Sequence, residues 1–310
     1  MPNQEILLLV EKCSHAFSYY DIASGKRIKS VPLPDFPHEF VVDSKKKYAY
    51  VGHYGVETSG HAGQGGHVIF VIDLQQGKHV GNIDCTPFNR LHGIQIDQQD
   101  RLYVLSEEKA TLLVFEHPEV NARIDRAVPV GGIKSHLFAL SRDGENAFAM
   151  NLLTHTVSHV KPYDACYLPH AVSPGNKPEG YCLSPDESTL YVSNRLSNTI
   201  SMIDTRQMTV IKSAPARNDP TRLYWFRDGR IVVTNYGDKS LSLIDSRNLS
   251  ELACIDTGAR PIALSFHPQH DCAFVSLDNN RVAIFDMRSL RVTRYIETQL
   301  EPDVSQVVYI

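Results

Sequence analysis

His38, His92, His136 and Glu179 follow one another at intervals of 54, 44 and 43 residues. Each stands near the start of a short apolar run: "PHEFVV", "LHGIQI", "SHLFAL" and "PEGYCL". Three imidazoles and a carboxylate that converge can hold a divalent transition metal with one position left open. Such an ion polarises a carbonyl or activates a water. The same residues can work without metal. Imidazole titrates near neutral pH, so one histidine can serve as general base while Glu179 orients or protonates. A plainer alternative makes them polar residues hydrogen-bonded to water and to each other. The metal reading assigns His38, His92, His136 and Glu179 as ligands, with His53 as a further ligand or a support behind them. The acid–base reading assigns His136 and Glu179.

A second concentration of polar chemistry is "GHYGVETSGHAGQGGH" (52–67), with His53, His61, His67 and six glycines. A phosphate-binding P-loop needs a lysine after its glycines, and none follows here. A dinucleotide fingerprint needs its glycines between a strand and a helix, which is also missing. Two readings stay open: a lid hinged on glycine, or an idle solvated loop. Arg195 and Arg222 either meet a carboxylate substrate, the role given to Arg222 as a catalytic residue, or pair with a neighbouring acid. Asn151, Asn194 and Asn235 end equivalent runs, where asparagine suits tight turns. No G-x-S-x-G, H-E-x-x-H or zinc-deaminase pattern occurs.

The elements that must position these residues repeat. "KPEGYCLSPDESTLYVSNRLSNTISMIDTRQMTVIKS" (177–213) is followed by two similar stretches, at 219–258 and 259–298. Each has a short apolar strand, a turn rich in Pro, Asp or Gly, a second strand, a third ending in Asp, and a fourth. β-Branched content and alternation mark them as strands. Aligning the residue that opens each first strand gives His38, His92, His136, Glu179, Thr221, Ile262 and Asp303. The later intervals are 42, 41 and 41. A period in the low forties with four strands per unit predicts a β-propeller. The long first interval is the insertion "VETSGHAGQGG".

The expected fold is all-β, a seven-bladed β-propeller forming one domain over residues 1–310. Its closing blade combines "DVSQVVYI" (303–310) with three N-terminal strands, which leaves no free sheet edge there. First strands line the channel of a propeller, so the aligned residues form a ring at one mouth. Glu11, His53, Ser106, Asn151, Asn194, Asn235 and Leu277, at the ends of the second strands, form another ring. A slip of one residue would turn alternate side chains away.

"LYVSNRLSNTISMID" and "VVTNYGDKSLSLID" resemble the YVTN-type, lactonase-like seven-bladed propellers, and the resemblance extends over essentially the whole chain. WD40 propellers are a worse match, since no Trp-Asp dipeptide occurs and Trp225 is the only tryptophan. The resemblance implies the fold. It also implies a hydrolase or lyase acting on a small lactone-like ring, although relatives of this architecture include binding proteins that catalyse nothing. The alternative function is therefore a non-catalytic binding or scaffold propeller using the same face.

Composition narrows the partners. With 42% hydrophobic and 21% charged residues the chain has ample core for a globular protein. A net charge of −4 and no basic stripe argue against nucleic acid. The N-terminal apolar run, Ile6 to Val10, lacks the flanks of a signal peptide, and no run approaches the roughly 18 residues of a membrane helix. Six cysteines form no C-x-x-C pair and read as buried free thiols in a reducing, cytoplasmic setting. The expected partner is a small-molecule substrate, with a divalent metal ion as the only cofactor foreseen.

Overall fold

The computed structural model describes residues 4–119 and 123–309. Apart from two short 3-10 turns, every element among these residues is a strand. The strands pair in seven four-stranded sheets, and the fold is a seven-bladed β-propeller. Blade 1 joins both ends of the chain: Pro302–Tyr309 pairs antiparallel with Glu5–Glu11, which pairs with Ala16–Asp21 and then Arg27–Pro32. Ile310, the last residue of the expected closing strand, lies outside the described residues. Blades 2 to 7 follow in chain order, starting at Pro37, Leu91, Ser135, Pro178, Pro220 and Pro261.

Burial explains why the sequence reads as strands of graded polarity. The first strand of blade 4, Ser135–Leu140, is buried at every residue. The fourth strand of blade 5, Thr209–Pro215, is exposed at nearly every one. Inner strands are covered on both faces and need apolar residues at consecutive positions. Outer strands tolerate "TVIKSAP". The cysteines follow the same gradient. Cys85 and Cys182 are buried, but Cys166 and Cys254 are exposed, contrary to the expectation of uniformly buried thiols. Cys254 lies on an outer strand. Among the described residues no helix is long and apolar enough to cross a membrane.

The chain groups into two compact units. The first holds blades 7, 1 and 2, within residues up to 91 and from 259 onward. Its strand Glu5–Glu11 serves two cores. Ile6, Leu8 and Val10 pack with Phe17, Phe40 and Phe70, whereas Leu7 and Leu9 pack with Phe274, Ile284 and Val307. The second unit, residues 92–258, holds blades 3 to 6. Three apolar clusters lie between its successive blades, centred on residues such as Leu112 and Phe138, Met150 and Val192, and Tyr191 and Val233.

The seven aligned residues share one structural position. His38, His92, His136, Glu179, Thr221, Ile262 and Asp303 are each the second residue of a first strand. In blades 1, 2, 4, 5, 6 and 7 the ladder to the second strand shifts register at this residue. In blade 4, Ser135 pairs with Asn151 and Leu137 with Met150, leaving His136 as the extra residue of a β-bulge. Bulges bend a strand and re-aim a side chain. The second set, from Glu11 to Leu277, consists of the last residues of the second strands. Antiparallel pairing puts both sets at the same end of each blade.

Candidate functional site

In the second unit the bulge of blade 4 presents His136 to Glu107, which follows the second strand of blade 3. Nδ1 of His136 lies 2.5 Å from Oε2 of Glu107. Glu107 is only 1% exposed. An ionised carboxylate only accepts hydrogen bonds, so Nδ1 carries the proton and the lone pair is left on Nε2. The ring of His92, itself buried, stands against that of His136 with centroids 3.6 Å apart and planes at 37°. Unit 2 thus brings two of the expected histidines together.

Glu179, one blade further on, is held otherwise. Arg195 Nη1 donates to both of its carboxylate oxygens at 2.9 Å. The same guanidinium grips Asp219, Nε to Oδ1 at 2.5 Å and Nη2 to Oδ2 at 2.7 Å. The ring of Tyr236 lies 5.9 Å from it. Burial works to raise the Glu179 carboxyl, but Arg195, helped by His136 and Lys177, outweighs it and holds the group down at about 2. Burial likewise opposes the charge on Arg195, and Glu179 and Asp219 override it, leaving the guanidinium above its ordinary value. Of the two candidate arginines, Arg195 is the one that holds these carboxylates. Arg222 sits just past the bulge of blade 6. Its amide donates to Thr234 Oγ1 at 2.9 Å. A Cβ on Gly180 would fall 2.6 Å from its Cα, so glycine is what admits this backbone.

In the first unit, His38 Nδ1 lies 3.1 Å from Oδ2 of Asp303 and 3.9 Å from Oε1 of Glu39. Asp303 is fully buried. The edge of Tyr54 covers the His38 ring at 5.4 Å. The buried ammonium of Lys12, which also feels Asp303, pairs with Glu301. Burial pulls Lys12 down, but Asp303 and Glu301 raise it above its usual value. The Cys13 thiol donates to Glu301 Oε2 at 2.6 Å, and burial first, then Glu301, pushes it up to about 12. Burial and Glu301 thus both disfavour its thiolate.

His53 has different neighbours. It packs on Phe70 with centroids 5.0 Å apart, and Asp35 lies 3.8 Å away. Burial lowers its pKa against the pull of Asp35. The glycine-histidine segment leaves the strand at His53 and returns at Val68, as a hairpin between the second and third strands of blade 2. It is tied down along its length. Arg90 Nη2 donates to the carbonyls of His61 (2.6 Å) and Gly63 (2.8 Å), and Asn89 Nδ2 to that of Gln64 (2.6 Å). Tyr54 and Val56 are buried beneath it. A Cβ on Gly66 would lie 2.1 Å from the His53 ring, and one on Gly65, where φ is +76°, 2.4 Å from Arg90 Cγ. Gly65 and Gly66 therefore permit close contact. His61 bonds to Thr58 within the loop, and His61 and His67 are both exposed.

The strand-ending asparagines brace their hairpins. Asn151 Nδ2 donates to Thr156 and Ser158, Asn194 to Thr199 and Ser201, and Asn235 to Ser240 and Ser242. Glu11 does the same in blade 1, accepting from Ser18 and Tyr20. The sequence reading overlooked Glu107, Asp219 and Lys12. Glu107 was the most findable, since it directly follows Ser106, a member of the second aligned set.

No family model matches this chain, and no curated protein does. Solved structures with the same fold exist. One is a functionally unknown protein from Desulfotomaculum acetoxidans DSM 771, with a TM-score of 0.81 at 13% identity over 98% of this chain and 99% of that one. Another is the dihydro-heme d1 dehydrogenase NirN in complex with DHE, with a TM-score of 0.69 at 14% identity over 97% of this chain and 74% of that one. At such identities the likeness is one of fold, a β-propeller in which blades, not sequence, are shared.

Proposed function

We propose that the protein is a small-molecule enzyme of hydrolase or lyase type, with a lactone-like ring as substrate and His136 as its acid–base group. The observation that carries this reading is the Glu107 carboxylate, buried and 2.5 Å from His136 Nδ1. Burying a carboxylate is costly unless it is paired. A carboxylate on Nδ1 fixes the imidazole tautomer and stabilises the imidazolium. Nε2 is then the base. For a lactone, Nε2 takes a proton from water as its oxygen bonds to the carbonyl carbon. The imidazolium returns that proton to the ring oxygen as the C–O bond breaks. His92 limits the movement of His136, and Arg195 braces Glu179. Arg222 is kept as the residue that meets a substrate carboxylate.

In the metal-dependent form of this reading, His136 and His92 would hold a divalent ion, which would polarise a carbonyl or activate a water. A carboxylate behind a ligating histidine is common at such centres. Glu179 joins that set only by leaving Arg195. The other reading, a binding propeller without chemistry, is favoured by the mutual satisfaction of Glu179, Arg195 and Asp219.

The test is a pH-stat assay of a lactone panel with native protein, His136→Ala and Glu107→Gln, alongside elemental analysis of untagged protein. The expected result is ring opening that falls at least a hundredfold in His136→Ala while circular dichroism is unchanged. Stoichiometric metal lost in that variant selects the metal-dependent form. Equal turnover by native protein and His136→Ala sinks the proposal, and so does a panel that native protein leaves untouched.

A further inference from the structure

The turns at the other end of the strands in the second unit line a separate open cavity of about 490 Å³. It lies between blades 4 and 5, at the 141–146, 161–167, 184–188 and 205–208 connections, away from the bulged strand ends. One wall is aromatic. His159, 6% exposed, stacks on Phe148 with centroids 4.8 Å apart and planes at 15°. Its Nε2 is 2.9 Å from Asn146 Oδ1, which only accepts, so Nε2 bears the proton. Nδ1 then accepts the Tyr167 hydroxyl at 2.8 Å.

Proton transfer along this triad is disfavoured by burial. Burial, then Lys161 and His170, press His159 down to about 4, while burial raises Tyr167 above its ordinary value. Moving the phenol proton to so weak a base is unfavourable by several orders of magnitude. Both ring nitrogens of His159 are taken up within the wall, by Asn146 and Tyr167.

The charges around it are unevenly satisfied. Asp186 accepts from Ser184 and Ser188, and Glu187 accepts the Arg142 amide and pairs with its guanidinium. Lys161 lies over the Tyr167 ring, its Nζ 5.0 Å from the centroid. Arg206 bonds to Asp204 only through its backbone amide. Neither cation has a carboxylate partner among the described residues. Lys161, over the Tyr167 ring, and the exposed Arg206 bring two positive charges beside the aromatic wall, which suits an anionic head on a flat body.

We infer that this cavity binds a small aromatic anion, a carboxylate or phosphate monoester, with its charge on Lys161 and Arg206 and its ring beside Tyr167. Isothermal titration of the full chain with 4-hydroxybenzoate and with phenyl phosphate tests this, with 4-hydroxybenzamide and inorganic phosphate as controls. At least one aromatic anion is expected to bind at a single site. The neutral amide and inorganic phosphate should each bind at least tenfold more weakly. Lys161→Gln/Arg206→Gln should weaken binding at least tenfold, and His136→Ala should leave it unchanged. Which anion wins identifies the head group. No binding of either anion at millimolar concentration overturns the inference. So does inorganic phosphate matching both, or loss of binding in His136→Ala instead of the double variant. Because the site is remote from His136 along the strands, either result leaves the catalytic reading standing on its own test.

Discussion

Glu107 and Arg195 are the residues on which the candidate site turns. Glu107→Gln keeps an acceptor for the His136 proton but removes its charge. Turnover is expected to fall roughly 10–100-fold with little change in KM, as for other groups that orient a working histidine; steady-state kinetics would show it. Arg195→Ala leaves Glu179 and Asp219 facing each other without a cation. Breaking a buried pair from one side costs about 3–5 kcal/mol, which urea denaturation should register. The carboxyl of Glu179, held at about 2 in the fold, contributes stability that is fully present above its unfolded value near 4.5. That contribution is lost as pH falls from there through about 2. An acid titration of native protein should show this loss, and Glu179→Gln should flatten it. The aligned histidines and Glu179 were legible because the repeat places them by counting. Their surroundings were not, because Glu107 reaches His136, and Asp219 reaches Arg195, from loops of neighbouring blades, and no spacing along the chain encodes such contacts.

At the scale of the element, the bulges and the pinned hairpin matter most. The sequence pattern located the first strands, with His136 or its equivalent near each start. It did not reveal the bulge there, because a register shift is defined only against the partner strand. In the hairpin, glycine serves close packing. Gly66 is needed for the approach of His53, so Gly66→Ala must displace that ring. A loss of about 1–3 kcal/mol is expected, as for overpacking elsewhere, and a chemical melt would measure it. Arg90→Ala removes the donors to His61 and Gly63. Hydrogen exchange over residues 55–66 should then quicken while blade strands keep their protection. Unchanged exchange would mean that the buried residues, Tyr54 and Val56, hold the segment alone.

The whole molecule is where sequence and structure agree best, because a period in the low forties with four strands per unit leaves few alternatives. Blade 1 depends on the pairing of Leu7 with Val307 and Leu9 with Ser305. Deleting 303–310 exposes Leu7 and Leu9 and opens a sheet edge. The shortened chain is expected to lose its cooperative thermal transition, followed by circular dichroism. The same pairing has a consequence in time. Strand Glu5–Glu11 emerges from the ribosome about 290 residues before its inner partner. At usual elongation rates that is a wait of roughly 15–60 s. Throughout it, an apolar strand designed to be covered on both faces has one edge open, and any nascent neighbour on the same message carries an identical one. Slowed translation is therefore expected to lower the folded yield of this protein, which the soluble fraction after synthesis at reduced elongation rate would show.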